Sequence, residues 1–323
     1  MKRVTILALE HVMGTSVMGP MDIFCQAGFT WNCIFGRTPA PLFEVSIVTL
    51  GGEPVTSFNG AQIRPHLAAE AVAATDLILV SSFASFDTLA CADRAGEWLR
   101  SHHDRGTVIG AICLGSFLLA ATGLLDGKTA TTHWGFVEHF RERFPRVMLR
   151  PDKLITDEGD LLCSGACHSY IDLSLHLIER FCGPEIALEC SKTILHDRCR
   201  DTQKPYAVHR FRKDHNDQRI LEIQYQLEEN CGAHYDIELL AREHGMSRRS
   251  FERRFKTATG EPPLLYLQRL RVETAKHLLE SDPQSFNEIT CRVGYEDSSF
   301  FRKLFRKHTG LSPQDYRRKF RRA

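Results

Sequence analysis

The sequence predicts two folded parts: an α/β domain with a mostly parallel sheet covered by helices, then an all-α domain with two helix-turn-helix motifs. Three observations carry this. Short apolar runs alternate with amphipathic stretches through residues 1–183, as they do where helices cross between parallel strands. From Arg219 onward no strand pattern remains, only helices with clear starts. That second part also repeats itself at an offset of 50 residues, and self-similarity at a fixed period marks a repeated supersecondary unit. The length of 323 residues agrees, at ~150 residues per domain, with about two domains.

In chain order, Val4–Leu9, Phe43–Thr49, Asp76–Val80 and Val108–Cys113 are short apolar runs expected as buried strands. Helical patterns lie at Pro20–Ala27, Leu89–His102, Ser116–Ala121 and Phe136–Phe144. Lys153–Thr156 and Leu161–Ser164 flank the hairpin-like turn Asp157–Asp160, and Tyr170–Phe181 reads as a helix. Residues 184–216 are charged, carry Pro184 and Pro205, and are expected as a helix followed by a linker. The all-α domain is placed at 217–323, where Asp236, Ser247, Ser285 with Glu288, and Ser312 before Pro313 supply caps.

Charge is distributed unevenly. The whole chain carries 41 Lys and Arg against 40 Asp and Glu. Residues 1–183 hold 14 basic and 19 acidic side chains, a net of −5, whereas Arg242 to the end holds 19 and 10, a net of +9. An acidic front and a basic back point to a nucleic acid or another anionic partner. At 43% hydrophobic and 25% charged residues, disordered and fibrous classes are excluded. Eleven cysteines without a CxxC pair do not make a disulfide framework, so a cytoplasmic location is expected. The opening MKRVTILALEHVMG lacks a proper apolar core and cleavage site and is expected as a first strand, not a signal peptide. Thr107–Leu125 is uncharged over 19 residues, long enough for a membrane span. It parses better as a strand, a sharp turn at Leu114-Gly115 and a helix, so no membrane partner is expected.

In the repeat, Phe251, Phe255, Thr259-Gly260, Pro263 and Tyr266 recur as Phe301, Phe305, Thr309-Gly310, Pro313 and Tyr316. Upstream, Leu240-Ala241 and Gly245 recur as Ile289-Thr290 and Gly294 at an offset of 49. Each copy reads helix, glycine turn, capped helix. In the first, Phe251, Phe255 and Ala258 form a core stripe, while Arg249, Glu252, Arg253 and Lys256 line the opposite face, with Arg248 beside them. In the second, Phe301, Leu304 and Phe305 face inward, and Ser298, Ser299, Arg302, Lys303 and Arg306 face out. The major groove admits one helix, and Arg and Lys match the acceptor pair of guanine. Two such helices on one body suit successive grooves about 34 Å apart, with Leu264–Leu279 as the strut between them. The basic tail Tyr316–Arg322 adds to the footprint, and double-stranded DNA is the expected partner.

Residues 236–320 resemble the two-helix-turn-helix domain of AraC/XylS-type transcriptional regulators. The resemblance rests on Ala241 through Ser247, Phe251 and Phe255, Thr259-Gly260, Arg271 with Ala275 and Leu278-Leu279, and Ile289 through Tyr295. Phe301 and Phe305, Thr309-Gly310 and Ser312-Pro313 with Tyr316 complete it. It implies base contacts from Arg249 and Arg253 in one recognition helix and from Ser298, Ser299 and Lys303 in the other. Phe300 would touch a thymine methyl. The short serines reach less far than longer side chains would.

In the front domain, Cys113-Leu114-Gly115-Ser116 lies between a strand and a helix, the position of a nucleophile elbow, and the helix start is expected to favour a thiolate. Together with Val4–Glu10, Gly19–Phe24, Gly123–Trp134, and Ser164-Gly165 before the Ile171-Asp172 helix, it resembles the class I amidotransferase-like, PfpI-type domain. That implies a flavodoxin-like fold, and joined to an AraC tail the chain resembles the GlxA-type regulators. Two positions depart from the peptidase-like members. Leu114 stands where they carry His, and Ser16 where they carry Glu. A cysteine nucleophile needs a base and an orienting carboxylate, so no catalytic residue is expected. His133 and His168 are read as pocket or core histidines. Cys163, Cys167 and His168 lack a fourth ligand, so no metal and no cofactor is expected.

The expected function is a cytoplasmic, ligand-responsive transcription regulator whose front domain senses a small-molecule effector. The effector site is expected around Ser16, Cys113, Leu114, His133 and the loop Gly165, Ala166, Cys167 and His168. A homodimer formed through the front domain is expected, with RNA polymerase as a further partner. The rival reading is a cysteine-dependent amidase or hydrolase of the PfpI type tethered to DNA. A structural nucleoid protein fits less well, because the net charge is only +1.

Overall fold

The computed structural model describes residues 1–198 and 200–321. Cys199, and Arg322 of the basic tail, lie outside the described residues. The chain divides into two compact units, Met1–Gln203 and Lys204–Ala323.

The first unit runs β1 (Lys2–Leu7), α1 (Thr15–Gln26), α2 (Thr30–Ile34), β2 (Phe43–Thr49), β3 (Val55–Thr56), β4 (Gln62–Ile63), β5 (Leu67–Ala68), β6 (Leu77–Val80) and α3 (Ala92–His103). It continues through β7 (Val108–Ile112), α4 (Gly115–Ala121), β8 (Thr129–Ala130), α5 (Val137–Arg143), β9 (Met148–Leu149), β10 (Ile155–Asp157), β11 (Leu161–Ser164), α6 (Tyr170–Cys182) and α7 (Pro184–Thr193). The main sheet has seven strands in the order β10-β11-β7-β6-β1-β2-β5. All its neighbours are parallel except the β10–β11 hairpin. The uncharged Thr107–Leu125 run is β7, a turn and α4 at the centre of this sheet. Every residue of β7 is buried, as burial on both faces requires. Among the described residues no helix is long and apolar enough to cross a membrane.

Two features differ from the sequence reading. Helix α1 begins at Thr15 and carries Pro20 inside it. A proline in the second turn denies a helical donor only to the carbonyl four residues back, so the helix can precede it. Residues 184–203, expected as a helix and the start of a linker, belong to the first compact unit. Their charged composition hides an apolar stripe: Ala187 and Cys190 of α7 are buried in the same core as α6.

Every regular element of the second unit among its described residues is a helix: α8 (Gln218–Glu229), α9 (Ile237–Glu243), α10 (Arg248–Thr259), α11 (Pro263–Ser281), α12 (Phe286–Arg292), α13 (Ser298–Thr309) and α14 (Pro313–Phe320). The repeat appears as α9–α10 and α12–α13. Gly245 and Gly294 take the turns at φ +68° and +82°, and Gly260 and Gly310 end the second helices at +87° and +76°. Helix α11 serves both copies. Tyr266, Leu267 and Leu270 of its first half enter one hydrophobic cluster, with Phe251 and Phe255. Val272, Ala275, Leu278 and Leu279 of its second half enter another, with Phe301 and Phe305. Its 19 residues span about 28 Å at 1.5 Å per residue.

Candidate functional site

The elbow forms where β7 ends. Cys113 takes a left-handed backbone at φ +53°, which is strained for a residue with a side chain. Its N–H donates to Ser164 O at 2.8 Å, and its carbonyl accepts from Ser116 Oγ at 2.7 Å. Ser116 Oγ also lies 2.9 Å from Thr132 Oγ1. At Gly115 a Cβ would stand 2.6 Å from Val80 O, so only glycine lets the chain cross the end of β6 this closely. Ser16 is buried and holds the neighbouring wall: its hydroxyl donates to Met13 O at 2.7 Å and accepts from Ser82 N–H at 2.9 Å. The Ser82 side chain in turn bonds the Cys113 thiol.

Burial pushes the Cys113 thiol up to about 12, and the bond from Ser82 offsets this only in part. The thiolate expected from the helix start is therefore not favoured: a thiol only 5% exposed loses more from desolvation than a seven-residue helix returns. Leu114 is buried and carries no titratable group. The His133 ring takes an N–H from Gly135 on Nδ1 at 3.1 Å, and burial lowers its pKa. The neutral ring then keeps its proton on Nε2, a donor rather than a base. No hydrogen bond joins it to Cys113 among the described residues. Cys167 Sγ lies 3.6 Å from Thr15 Oγ1, and it is near enough to Cys113 that ionising one thiol would disfavour ionising the other.

The structure thus gathers Ser16, Cys113, Leu114 and Cys167 around the elbow. Gly165 is buried at the end of β11, Ala166 is half-buried, and the exposed His168 packs near Tyr170, with ring centroids 6.2 Å apart. Sequence reasoning missed Ser82, and it named Ser116 and the Thr132 segment in the motifs without giving either residue a place in the site. Ser82 was within reach, because it follows the apolar run of β6 at the same sheet edge as the elbow. The Gly19 signal has a packing cause, since a Cβ there would strike the Tyr170 ring at 2.3 Å. Among the described residues no group of three or more His, Cys, Asp or Glu is placed to hold a metal ion.

In the second unit, Asp236 caps α9, Ser247 caps α10 and Asp297 caps α13 through the N–H groups of Ser299 and Phe300. Arg248, Arg249, Arg253 and Lys256 are exposed on α10, and Glu252 is half-exposed. On α13, Ser299, Phe300, Arg302, Lys303 and Arg306 are exposed and Ser298 is half-buried. Their partners separate them further. Arg248 is bonded to Glu252 at 2.9 Å, and Arg302 lies over the Phe286 ring at 5.4 Å. Arg254, on the flank of α10, pairs with Asp217. Arg249, Arg253, Lys256, Lys303 and Arg306 make no ion pair among the described residues. These five cations keep their donors for another partner.

An α/β unit with a buried elbow, followed by two helices presenting unpaired cations, defines a ligand-responsive regulator of transcription that binds DNA. Residues 2–180 match the DJ-1/PfpI family and residues 240–319 a helix-turn-helix domain. The chain belongs to the DJ-1/PfpI family, and with a helix-turn-helix domain behind that part its arrangement is similar to that of the GlxA-type regulators. It is 29% identical over 287 residues to the HTH-type transcriptional regulator GbdR of Pseudomonas aeruginosa, across 88% of this chain and 77% of that protein. To the regulator GlxA of Rhizobium meliloti it is 27% identical, across 89% of this chain and 88% of that one. Isonitrile hydratase of Pseudomonas putida is 27% identical across 57% of this chain and 74% of that enzyme. The fold is shared with the crystal structure of an AraC family transcriptional regulator from Pseudomonas putida. That match has 24% identity and a TM-score of 0.52, over 60% of this chain and all of that one.

Replacing Arg253 with Ala is expected to weaken binding to the cognate duplex by ~1–3 kcal/mol and to relax preference at one base position. Lys256→Ala and Arg306→Ala should weaken all duplexes alike and reduce the salt slope by about one each. Fluorescence anisotropy across a salt series separates the two patterns, and undiminished operator affinity in Arg253→Ala would remove that residue from base reading. At pH 8 a thiol with a pKa of about 12 is ionised to ~10⁻⁴. Iodoacetamide should therefore label Cys113 at least a hundredfold more slowly than the exposed Cys33 and Cys291, measured by mass spectrometry.

Proposed function

We propose that the elbow binds a small effector without turning it over, and that the bound state sets how the two recognition helices engage an operator. The observation that carries this is the Cys113 site itself. Its thiol is buried and protonated, Leu114 and Ser16 stand where the base and carboxylate of a peptidase would be, and His133 presents a donor. Ligands of open α/β sheets sit at the C-terminal strand edge, and the ends of β6, β7 and β11 meet there at Ser82, Cys113 and Ser164. The names of GbdR and GlxA, which span both parts of the chain, support the same reading. The likeness to isonitrile hydratase keeps the rival in view: a PfpI-type amidase or hydrolase tethered to DNA.

On this reading Arg249, Arg253, Ser298, Ser299 and Lys303 face bases, Phe300 meets a thymine methyl, and Arg248, Lys256, Arg302 and Arg306 lie toward phosphates. Ser16, Cys113, Leu114, His133 and the Gly165–His168 loop surround the effector. The protein acts in the cytoplasm as a homodimer and contacts RNA polymerase once bound. Exposed Phe29, Ile34 and Phe35 supply an apolar surface for self-association through the front unit.

Selection from a random duplex pool with the full chain should recover paired sites, and sedimentation should give the mass of two chains. Single sites bound by a monomer would refute the dimer. A thermal-shift screen of metabolites then identifies the effector, because a ligand at 100 times its Kd stabilises by ~2.7 kcal/mol. With that effector, Cys113→Ser should keep the effector-free DNA affinity and shift the dose–response only modestly. Complete loss of response with effector binding intact would assign the thiol a chemical role and favour the enzyme reading.

A further inference from the structure

Gln203, the last residue of the first compact unit, is only 2% exposed although it lies in the charged stretch between the two parts. Its backbone is sewn to the sheet edge. Gln203 N–H donates to Asp152 O at 3.0 Å, Leu154 N–H donates to Asp201 O at 3.0 Å, and Thr202 bridges Lys153. Its amide nitrogen is ringed by four acceptors: Thr132 O at 2.9 Å, Lys153 O at 3.0 Å, Thr131 Oγ1 at 3.1 Å and Pro151 O at 3.3 Å. All four accept, so the amide cannot be turned over. Its oxygen is buried with no partner among the described residues.

This amide backs onto the elbow on two sides. Thr132, whose carbonyl it holds, places its hydroxyl on Ser116, and Ser116 bonds the carbonyl of Cys113. Gly165, in the elbow loop, has the Gln203 side chain directly above it. A Cβ on Gly165 would stand 2.0 Å from Nε2, 2.2 Å from Cδ and 2.7 Å from Oε1. No backbone atom is among these three closest neighbours, and Gly165 has no left-handed φ. The three atoms that a side chain there would strike first all belong to Gln203.

On the other side of Lys204-Pro205 the chain is held again. Tyr206 packs edge-on to Phe320 with centroids 5.4 Å apart, and Ala207 O accepts from the buried Lys276 Nζ at 2.6 Å. His209 meets Glu261 at 3.2 Å, Phe211 packs on Tyr266 at 4.7 Å, and Arg212 O accepts from Gln224 at 2.8 Å. Residues 206–213 therefore form a strap that touches α14, α11 and α8. Only Lys204 and Pro205 separate Gln203 from it: Pro205 fixes its own φ and restricts Lys204, and Ala207 N–H bonds Lys204 O.

We propose that Gln203 is the residue through which the elbow acts on the DNA reader: a shift of the Thr132 or Gly165 wall displaces its amide and loosens the 206–213 strap across the two helix-turn-helix copies. This rests on the reading of the elbow as the effector site. Two residues of chain lie between Gln203 and the strap, and the strap touches helices of both half-cores.

The test needs no effector. Gly165→Ala pushes on Gln203 from the elbow side, while Gln203→Ala removes the atoms that the new methyl would strike. Full-length wild type, both single variants and the double variant are compared by tryptic cleavage at Arg210 and Arg212 and by Kd for the duplex selected with wild type. Each single variant should speed cleavage in the strap at least tenfold and shift Kd at least fivefold, and the double should go no further than the larger single. Cleavage and Kd within twofold of wild type in folded single variants would overturn the proposal. So would effects that multiply in the double, because they would mark independent damage. Should Gln203→Ala melt the first unit, Gln203→Met keeps the volume, lacks the donor, and is read in the same way. A metabolite screen without a hit would count against the effector reading and leave this result standing.

Discussion

The turn from Cys113 to Gly115 is the constraint on which the first unit depends. β7 must stop, reverse its backbone hand at one non-glycine residue and start α4 while passing against the carbonyls of Val80 and Ser81. A left-handed cysteine persists only where its surroundings over-determine it. Here they do: Ser164 takes its N–H, Ser116 gives to its carbonyl, and Ser82 bonds its thiol. These contacts draw the ends of β6, β7 and β11 and the Thr132 segment into one wall. The strain thus fixes the place of the side chain, and burial decides what that side chain can do there.

The second unit solves a different problem. Each helix-turn-helix copy is too small to bury a sufficient core of its own, since domains below roughly 40 residues usually need outside support. Helix α11 supplies that support by giving its first half to one core and its second half to the other. The loop between α8 and α9 also meets the second copy at backbone level: a Cβ on Gly232 would stand 2.3 Å from Arg292 O, and one on Gly294 would stand 2.6 Å from Gly232 O. Arg271 donates to Cys231 O and Ala233 O from within α11. Matching tyrosines close both copies, Tyr266 onto Glu228 and Tyr316 onto Glu280. Basic faces can then be left unpaired without loss of order, because the rigidity comes from the opposite side of each helix.

What the sequence made legible was local. Caps, glycine turns and the 50-residue repeat depend on neighbours a few positions away, and the helices of the second unit follow them closely. The parallel sheet was legible because buried strands cannot avoid being apolar. Ser16 and Cys113 were found through the pattern around them, but Ser82, Thr132 and Gln203 gave no signal of that strength. A glutamine between a charged run and a proline looks solvated, and only the folded chain shows four acceptors waiting for its amide. Residues 184–203 were obscured for the same reason, because side chains such as Arg200 carry charge yet serve to pin the segment onto Asp172. The helix-start argument for a thiolate failed on magnitude, since a local dipole was weighed without the burial that opposes it.

That magnitude also bears on the choice between binding and catalysis at the elbow. Each pKa unit above the ambient pH costs ~1.4 kcal/mol to ionise the group. With the Cys113 thiol at about 12, forming a thiolate at neutral pH costs on the order of 7 kcal/mol before any bond is made. A neighbouring base could share that cost, but Leu114 has no titratable group, and the one free lone pair of the neutral His133 ring, on Nδ1, already accepts from Gly135 N–H. A ligand meets none of this expense. It needs a preformed wall with a few fixed donors and acceptors, and the strained turn, Ser16 and Thr132 provide one. On the proposed reading, the same strain that would position a nucleophile positions a recognition surface. With the thiol left protonated, it joins that surface as a neutral atom rather than as a reactive one.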